Sequence, residues 1–285
     1  MPTFNERHAQ HTLQCMEIWS GNQNTDSAVS TPGLDLWICS RPYHQASAGG
    51  DVHYVSLCGG GILTRFILAD VAGHGTTVAN VARQLRTLMR QNINRKSQER
   101  LTRELNRQFA ELGQAGRFAT AIVGTYLATT RRLTICNAGH PRPLWYRHEV
   151  GAWSVLSASA ERATPAAPNL PWGIDGTAGY DQTEIPLTHG DFLLFYTDAL
   201  IEASDPHDQP LGETGLVELV DRIDLSAPEN LPGTLMARLN DYRGGRSADD
   251  DQTFLLLRHR EGKTRRLSLR DKIDVYAKVF GLKQV

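Results

Sequence analysis

The stretch DVHYVSLCGGGILTRFILADVAGHG, residues 51–75, combines two apolar runs, a glycine turn and a change of period. The runs Asp51–Leu57 and Ile62–Val71 are rich in β-branched and aromatic residues, which favours strands. Between them, Cys58-Gly59-Gly60-Gly61 has the composition of a hairpin turn. From Thr76 onward the apolar residues recur at helical spacing. The stretch therefore predicts a β-hairpin that leads through a glycine-rich turn into a helix.

Strand and helix patterns outside this stretch occur in neighbouring runs of one kind. Strand patterns occupy Cys15–Ser20, Leu34–Pro42, Phe118–Ala128, Arg132–Asn137, Arg142–Arg147, Tyr180–Ile185, Asp191–Thr197 and Phe254–Arg258. Helical spacing recurs on both sides of a junction at Asn92–Gln98, and again in Glu213–Ile223, Pro228–Tyr242 and Leu269–Phe280. The segment Ala158–Pro171, rich in Ala and Pro, is typical of a loop. Grouped strands and paired helices predict an α+β domain with antiparallel sheets covered by helices.

The composition excludes several classes of function. The chain has 285 residues, of which 40% are hydrophobic and 21% charged, as in ordinary globular proteins. The net charge of −1 suggests neither a nucleic acid nor a membrane as partner. No apolar run approaches the ~20 residues of a membrane helix, and the polar start lacks the apolar core of a signal peptide. Four scattered cysteines without a C-x-x-C pair disfavour zinc and suit a reducing cytosol. We therefore expect a cytoplasmic protein.

Basic residues are concentrated at the C-terminus. The segment Arg258–Val285 contains nine Lys or Arg and three Asp or Glu, a local balance of +6 against −7 for the remainder. A docking arm is one interpretation, and a solvated terminal helix is the other.

Four aspartates lie at strand ends or turns. Asp in a turn commonly binds its own backbone, so each of them alone could be structural. A buried carboxylate is nevertheless costly unless its charge is compensated, and hard divalent cations prefer such oxygens. As a set beside apolar strands, these residues predict a divalent-cation site, with Asp251 as the alternative to the last of them: Asp51, Asp70, Asp198 and Asp250.

Two histidines are candidates for proton transfer. His74 stands between two glycines at the start of the helix that follows Asp70, where a helix N-terminus favours an anion. His140 precedes Pro141 in a Gly-containing turn. Either could donate a proton to a leaving oxygen, and either could be a hydrogen-bonded structural histidine. We assign the catalytic role to His74.

An ordered series of short segments resembles the PPM-type metal-dependent protein phosphatases. The similarity is greatest to the bacterial branch typified by the stage II sporulation E phosphatase and the sigma-factor regulatory phosphatases. It extends from Leu34 to Arg258, most of the chain. The matching segments are residues 49–51 (GGD), 70–75 (DVAGHG), 118–120 (FAT), 137–141 (NAGHP), 190–198 (GDFLLFYTD), 200–203 (LIEA) and 250–253 (DDQT).

The resemblance implies a fold, a set of ligands and a cofactor. The fold is a four-layer α-β-β-α sandwich with antiparallel central sheets. Asp70 would bridge two Mn²⁺ or Mg²⁺ ions, and a hydroxide between these ions would attack phosphorus. Asp51 and the carbonyl of Val71 would serve one ion, and Asp198 and Asp250 the other. The implied domain spans residues 31–260, between an N-terminal extension (1–30) and a basic, helical C-terminal tail (261–285).

The function implied by the resemblance is hydrolysis of phosphoserine or phosphothreonine on a partner protein in bacterial signalling. The partner would be an anti-sigma-factor antagonist, and regulation could come from another protein, the tail or homodimerisation. The alternative is a pseudophosphatase that binds phosphoproteins, because Ala199 and Tyr54 replace a glycine and an aspartate usual in the family. A third hypothesis is a two-metal hydrolase of small phosphoesters, since a fold does not determine its substrate.

Overall fold

The computed structural model describes residues 16–58, 61–73, 76–95, 97–112, 117–157 and 169–261. Within these ranges the chain forms two antiparallel sheets and four α-helices. The strands are β1 (Met16–Gly21), β2 (Thr25–Thr31), β3 (Leu34–Arg41), β4 (Asp51–Cys58), β5 (Leu63–Val71), β6 (Ala119–Leu127), β7 (Arg132–Ala138), β8 (Leu144–Arg147), β9 (Ala152–Val155), β10 (Thr183–Pro186), β11 (Phe192–Tyr196) and β12 (Gln252–His259). The helices are α1 (Thr76–Asn92), α2 (Gln98–Glu111), α3 (Gly212–Asp221) and α4 (Leu231–Tyr242).

Each sheet has six strands in the described part of the chain. The first sheet has the order β1-β4-β5-β6-β7-β10, and the second has the order β2-β3-β12-β11-β8-β9. All pairs of neighbouring strands are antiparallel. The predicted hairpin is the β4–β5 pair at the centre of the first sheet.

Both faces of β5 are buried. Phe66 and Leu68 point into the layer between the two sheets. Ile67, Ala69 and Val71 alternate with them and pack under α1 and α2. This is why β5 is an almost continuous apolar run, although antiparallel strands usually alternate with polar residues.

The second sheet repeats this arrangement on its own helices. Leu193 and Phe195 of β11 face the layer between the sheets, whereas Leu194 and Tyr196 pack against α3 and α4. Three apolar layers therefore separate helix, sheet, sheet and helix. The predicted α+β fold, a four-layer α-β-β-α sandwich, is confirmed.

Some boundaries differ from the predictions. The strand β1, and β2 except for Thr31, lie within the predicted extension 1–30. They pair with β4 and β3, so the sheets include residues from Met16 onward. The strands β2 and β9 were not predicted. Residues 262–285, which include the predicted terminal helix Leu269–Phe280, lie outside the described residues. None of the described helices is both long and apolar enough to cross a membrane.

Candidate metal centre

Asp51 and Asp70 face each other across the β4–β5 hairpin. Asp51 is the first residue of β4, and the register pairs it directly with Asp70 near the end of β5. Asp51 is only 2% exposed, and Asp70 is partly buried. Like charges directly opposite each other destabilise a sheet. The hairpin therefore places two carboxylates where a cation would relieve their repulsion.

Asp198 and Asp250 come from the second sheet. Asp198 follows β11 after Thr197 and begins a short 3-10 turn that ends at Leu200. Asp250 lies two residues before β12, which is the antiparallel neighbour of β11. Since the end of β11 and the start of β12 lie at the same edge, the two carboxylates are brought to one end of the sandwich. Asp198 is partly buried and Asp250 is exposed.

The carboxylate of Asp251 accepts hydrogen bonds from the backbone with both of its oxygens. It is 5% exposed, and its Oδ1 accepts a hydrogen bond of 2.6 Å from the backbone N–H of Tyr43. Its Oδ2 accepts a hydrogen bond from the backbone N–H of Gly50. Asp250 is different, because its Oδ1 caps the N–H of Asp251 at 2.7 Å. The use of both Asp251 oxygens by the backbone favours Asp250 as the metal ligand, an assignment that stays a proposal.

The two glycines before Asp51 allow close approach. A Cβ atom on Gly49 would overlap the carboxylate of Asp251, and one on Gly50 would lie 2.9 Å from the carbonyl oxygen of Val71. The N–H of Val71 donates to the carbonyl of Gly50 at 3.3 Å. Only glycine fits such contacts. The segment GGD is therefore needed to bring Asp51, Asp251 and the Val71 carbonyl together.

The pKa values of the carboxylates show that their negative charges are destabilised in the absence of a cation. Burial, followed by the charges of Asp70 and Asp251, raises the pKa of Asp51 well above its ordinary value. Burial and then the charges of Asp198, Asp250, Asp251 and Glu202 raise the pKa of Asp70 to about 8. Burial and the charge of Glu202 raise the pKa of Asp198. A bound cation would reverse this repulsion.

The donor atoms fit hard divalent cations. Asp51 Oδ1 is buried and finds no hydrogen-bond partner among the described residues, so it is open to a ligand. Across the described ranges, no three His, Cys, Asp or Glu side chains converge tightly enough to enclose one ion. Mg²⁺ does not require such a cage, because it takes one or two carboxylates and keeps several waters. The Asp51–Asp70 pair supplies two such carboxylates. Asp198 and Asp250 lie nearer the solvent, where waters can complete the coordination of an ion.

The structure describes only one of the two candidate histidines. His74 lies outside the described residues, so its catalytic role stays a prediction. His140 is 5% exposed, and burial lowers its pKa to about 3. Its Nδ1 is hydrogen-bonded to Thr120 Oγ1 at 2.9 Å, and its backbone is held by the side chain of Asn137. A neutral, buried and hydrogen-bonded ring favours the structural interpretation of His140.

Sequence reasoning missed three residues of the site. Glu202 is exposed and adds negative charge beside Asp70 and Asp198. Thr197 Oγ1 donates to Asp51 Oδ2 at 2.9 Å, and Thr253 lies beside it. All three residues fall inside segments that resemble the family, but neither a hydroxyl nor an exposed Glu has a pattern that identifies its role.

Ala199 and Tyr54, two of the residues that depart from the family pattern, do not disturb the site. Ala199 lies inside the 3-10 turn and is not among the described residues with a positive φ angle, so the expected strain is absent. Tyr54 is 1% exposed and packs with Ile67 in the layer under α1 and α2. That layer lies on the opposite face of β4 from Asp51.

Comparison with known proteins agrees with this architecture. The family model of stage II sporulation protein E (SpoIIE) matches residues 62–260. The phosphoserine phosphatase RsbP of Bacillus subtilis is 24% identical over 196 residues, which cover 67% of this chain and 44% of RsbP. The chain thus spans less than half the length of that relative.

Solved structures share the fold. The RsbU and RsbW domains of Rv1364c from Mycobacterium tuberculosis match with a TM-score of 0.69 and 25% identity, over 85% of this chain and 64% of that one. The PP2C phosphatase domain of SpoIIE from Bacillus subtilis, solved with a fragment of its regulatory domain, matches with a TM-score of 0.66 and 15% identity, over 87% and 70%. RsbX in complex with magnesium matches with a TM-score of 0.59 and 14% identity, over 82% and 100%. The family match covers most of the chain, which therefore belongs to the stage II sporulation protein E (SpoIIE) family.

Proposed function

We propose that this protein is a metal-dependent phosphatase that hydrolyses phosphoserine or phosphothreonine on a partner protein. The observation that carries the proposal is the in-register pair of Asp51 and Asp70, whose buried Asp51 Oδ1 is unpaired among the described residues. The pKa of Asp70, raised to about 8 by burial and by four neighbouring carboxylates, supports it. Family membership supports the reaction class.

The chain's own residues would hold two Mn²⁺ or Mg²⁺ ions. Asp51 and the Val71 carbonyl would bind one ion, Asp198 and Asp250 the other, and Asp70 both. Such ions supply Lewis acidity and activate water for in-line attack on a phosphoryl group. The magnesium complex of RsbX, which has the same fold, supports a divalent cation.

The two buried cysteines are disfavoured as alternative nucleophiles. Burial raises the pKa of Cys39 to about 11 and that of Cys136 to about 12. The thiolate is the reactive form of cysteine. These two thiols are therefore protonated at neutral pH and unsuited to nucleophilic attack.

The relatives indicate the class of partner. RsbP is named as a phosphoserine phosphatase, and in Rv1364c an RsbU domain is accompanied by an RsbW domain. We infer that the substrate is a phosphorylated antagonist of an anti-sigma factor in the bacterial cytoplasm. Homodimerisation would be one means of regulation. The two motives for the pseudophosphatase alternative are weakened, because Ala199 has no positive φ angle and Tyr54 packs in the core away from Asp51.

Hydrolysis of a phosphoserine peptide tests the proposal. Wild-type protein should release phosphate with Mn²⁺ and not with a chelator, and Asp70→Asn should lower kcat by more than about 100-fold. Asp221→Asn is the matched control, because Asp221 is exposed at the end of α3 and should retain wild-type turnover. Wild-type turnover by Asp70→Asn would contradict the bridging role. A lower KM for small phosphoesters than for the peptide would contradict a protein substrate.

A further inference from the structure

A layer of polar groups closes the core between the two sheets at the metal end. Its members are Asp51 of the first sheet and Ser40, Thr197 and Thr253 of the second, each at most 2% exposed. They continue the inward-facing rows of the strands, beyond Phe195 of β11 and Leu255 of β12. Polar groups at this depth must be paired.

The hydroxyl of Thr197 connects the two sheets. Its Oγ1 donates to Asp51 Oδ2 at 2.9 Å and accepts from the backbone N–H of Thr253 at 3.0 Å. The carbonyl of Thr253 lies 3.2 Å from the same hydroxyl, but it already accepts the backbone N–H of Thr197 at 2.9 Å. A hydroxyl has one hydrogen, and a carboxylate is the stronger acceptor. The Thr197 proton is therefore directed to Asp51.

Thr253 is held in the same layer. Its Oγ1 is 2.8 Å from Ser40 Oγ on the adjacent β3, and its side chain acts to lower the pKa of Asp51 against the effect of burial. The hydroxyls of the second sheet thus fix a carboxylate of the first sheet.

This pairing is one-sided. Asp51 Oδ2 receives the Thr197 hydrogen bond, whereas Oδ1 finds no partner within the described residues. A side chain that served only to close the core would be expected to satisfy both oxygens. The hydroxyl layer instead fixes the carboxylate with one oxygen left for a ligand.

We propose that Thr197 is a positioning residue that orients Asp51 for a divalent cation, with Thr253 and Ser40 supporting it. The inference rests on the proposed function only in that the ligand of Asp51 is a metal ion. Partners that orient a metal ligand typically change metal affinity or activity by about 10–100-fold when they are removed.

Calorimetric titration of Mn²⁺ into the 285-residue protein tests this inference separately from turnover. Thr197→Val removes the hydroxyl at nearly constant shape and should raise the Mn²⁺ dissociation constant at least about tenfold. Thr197→Ser retains the hydroxyl and should restore affinity to near the wild-type value. Thr253→Val should have an intermediate effect, and it decides the question if Thr197→Val does not fold.

The matched control is Thr102→Val. Thr102 is 0% exposed and donates its hydroxyl to the Gln98 carbonyl within α2. This variant should leave Mn²⁺ affinity unchanged. Unchanged affinity in Thr197→Val, an equal loss in Thr102→Val, or no Mn²⁺ binding by wild-type protein would each overturn the inference. Reduced affinity in Thr197→Val together with no hydrolysis by wild-type protein would support the positioning role while contradicting the proposed phosphatase function.

Discussion

The two sheets contribute to the metal end of the sandwich in different ways. In the first sheet, Asp51 and Asp70 are fixed opposite each other by the ladder of a central hairpin. In the second sheet, Asp198 and Asp250 lie beyond the strand ends, in a 3-10 turn and in an exposed segment. One half of the site is thus preorganised within the core, and the other half is set by turns near solvent.

This difference predicts that the two halves of the site bind a metal ion with different affinities. Preorganised ligands lose little conformational freedom on binding, so they bind more tightly than ligands that must be ordered. They also impose a cost on the metal-free protein, because buried like charges repel each other. We therefore expect tighter binding of an ion by the half built on the hairpin and weaker binding by the half built on Asp198 and Asp250.

The largest expected effect is on the two Mn²⁺ binding events. Asp51→Asn should abolish the tighter event, since it removes a preorganised, buried ligand. Asp250→Asn should leave the tighter event unchanged and abolish the weaker one. Calorimetric titration measures both events. Loss of the tighter event in Asp250→Asn would show that the half of the site built on Asp198 and Asp250 binds the ion more tightly than the hairpin half.

Asp250 and Asp251 should differ in what they stabilise. Asp251→Ala leaves the N–H groups of Tyr43 and Gly50 without their buried acceptor and should lower the free energy of unfolding by about 2–3 kcal/mol. Asp250→Asn, at an exposed residue, should change it by less than about 0.5 kcal/mol. Chemical denaturation with chelator present measures both values. Equal destabilisation by the two substitutions would show that the backbone hydrogen bonds of Asp251 do not contribute specially to stability.

The stability of the metal-free protein should depend on pH through the hairpin half of the site. The pKa of Asp70 is about 8 in the folded protein and about 3.9 in an unfolded chain. The folded state therefore binds more protons between these values, and its stability falls as pH rises. Buried His53 and His140, with pKa values lowered to about 4 and about 3, oppose this trend below about pH 6.5.

The informative window is therefore about pH 6.5–8. There the free energy of unfolding should fall by up to about 1.4 kcal/mol per pH unit for each such carboxyl group. Asp70→Asn should flatten this slope, whereas Asp250→Asn should retain it. A flat profile for metal-free wild-type protein would contradict the pKa of Asp70 that burial and the neighbouring carboxylates raise.

A small effect on stability, with none on turnover, is expected at Ala199. This residue is 7% exposed within the 3-10 turn and has no positive φ. Ala199→Gly should lower the free energy of unfolding by about 0.5–1 kcal/mol through added backbone freedom and leave turnover unchanged. A marked gain in turnover would show that the turn does require glycine.

The sequence alone predicted the hairpin half of the site better than its surroundings. The runs around Asp51 and Asp70 are long and apolar, because both faces of the central strands are buried. In contrast, β2 reads TDSAVST and β9 reads AWSV. Such short or small-residue edge strands have a weak pattern, so they were not predicted.

Contacts between distant segments also escaped sequence reasoning. The task of Asp251 depends on Tyr43 and Gly50, about 200 residues earlier in the chain. The pairing of Thr197 with Asp51 depends on how the two sheets stack. No local spacing encodes such contacts, so the sequence favours Asp250 over Asp251 by its place in the DDQT segment alone and does not predict the hydrogen bonds that occupy Asp251.

The most direct test of the central claim is thermal unfolding with and without Mn²⁺ at pH 7.5 for wild-type protein and Asp70→Asn. Without metal, Asp70→Asn should have the higher midpoint, because wild-type Asp70, with a pKa of about 8 when folded, must take up a proton on folding at pH 7.5 and the amide need not. With millimolar Mn²⁺, the wild-type midpoint should rise through binding to the folded state and exceed that of Asp70→Asn, which should barely change. Equal shifts in both proteins, or no shift in either, would contradict a cation site centred on Asp70.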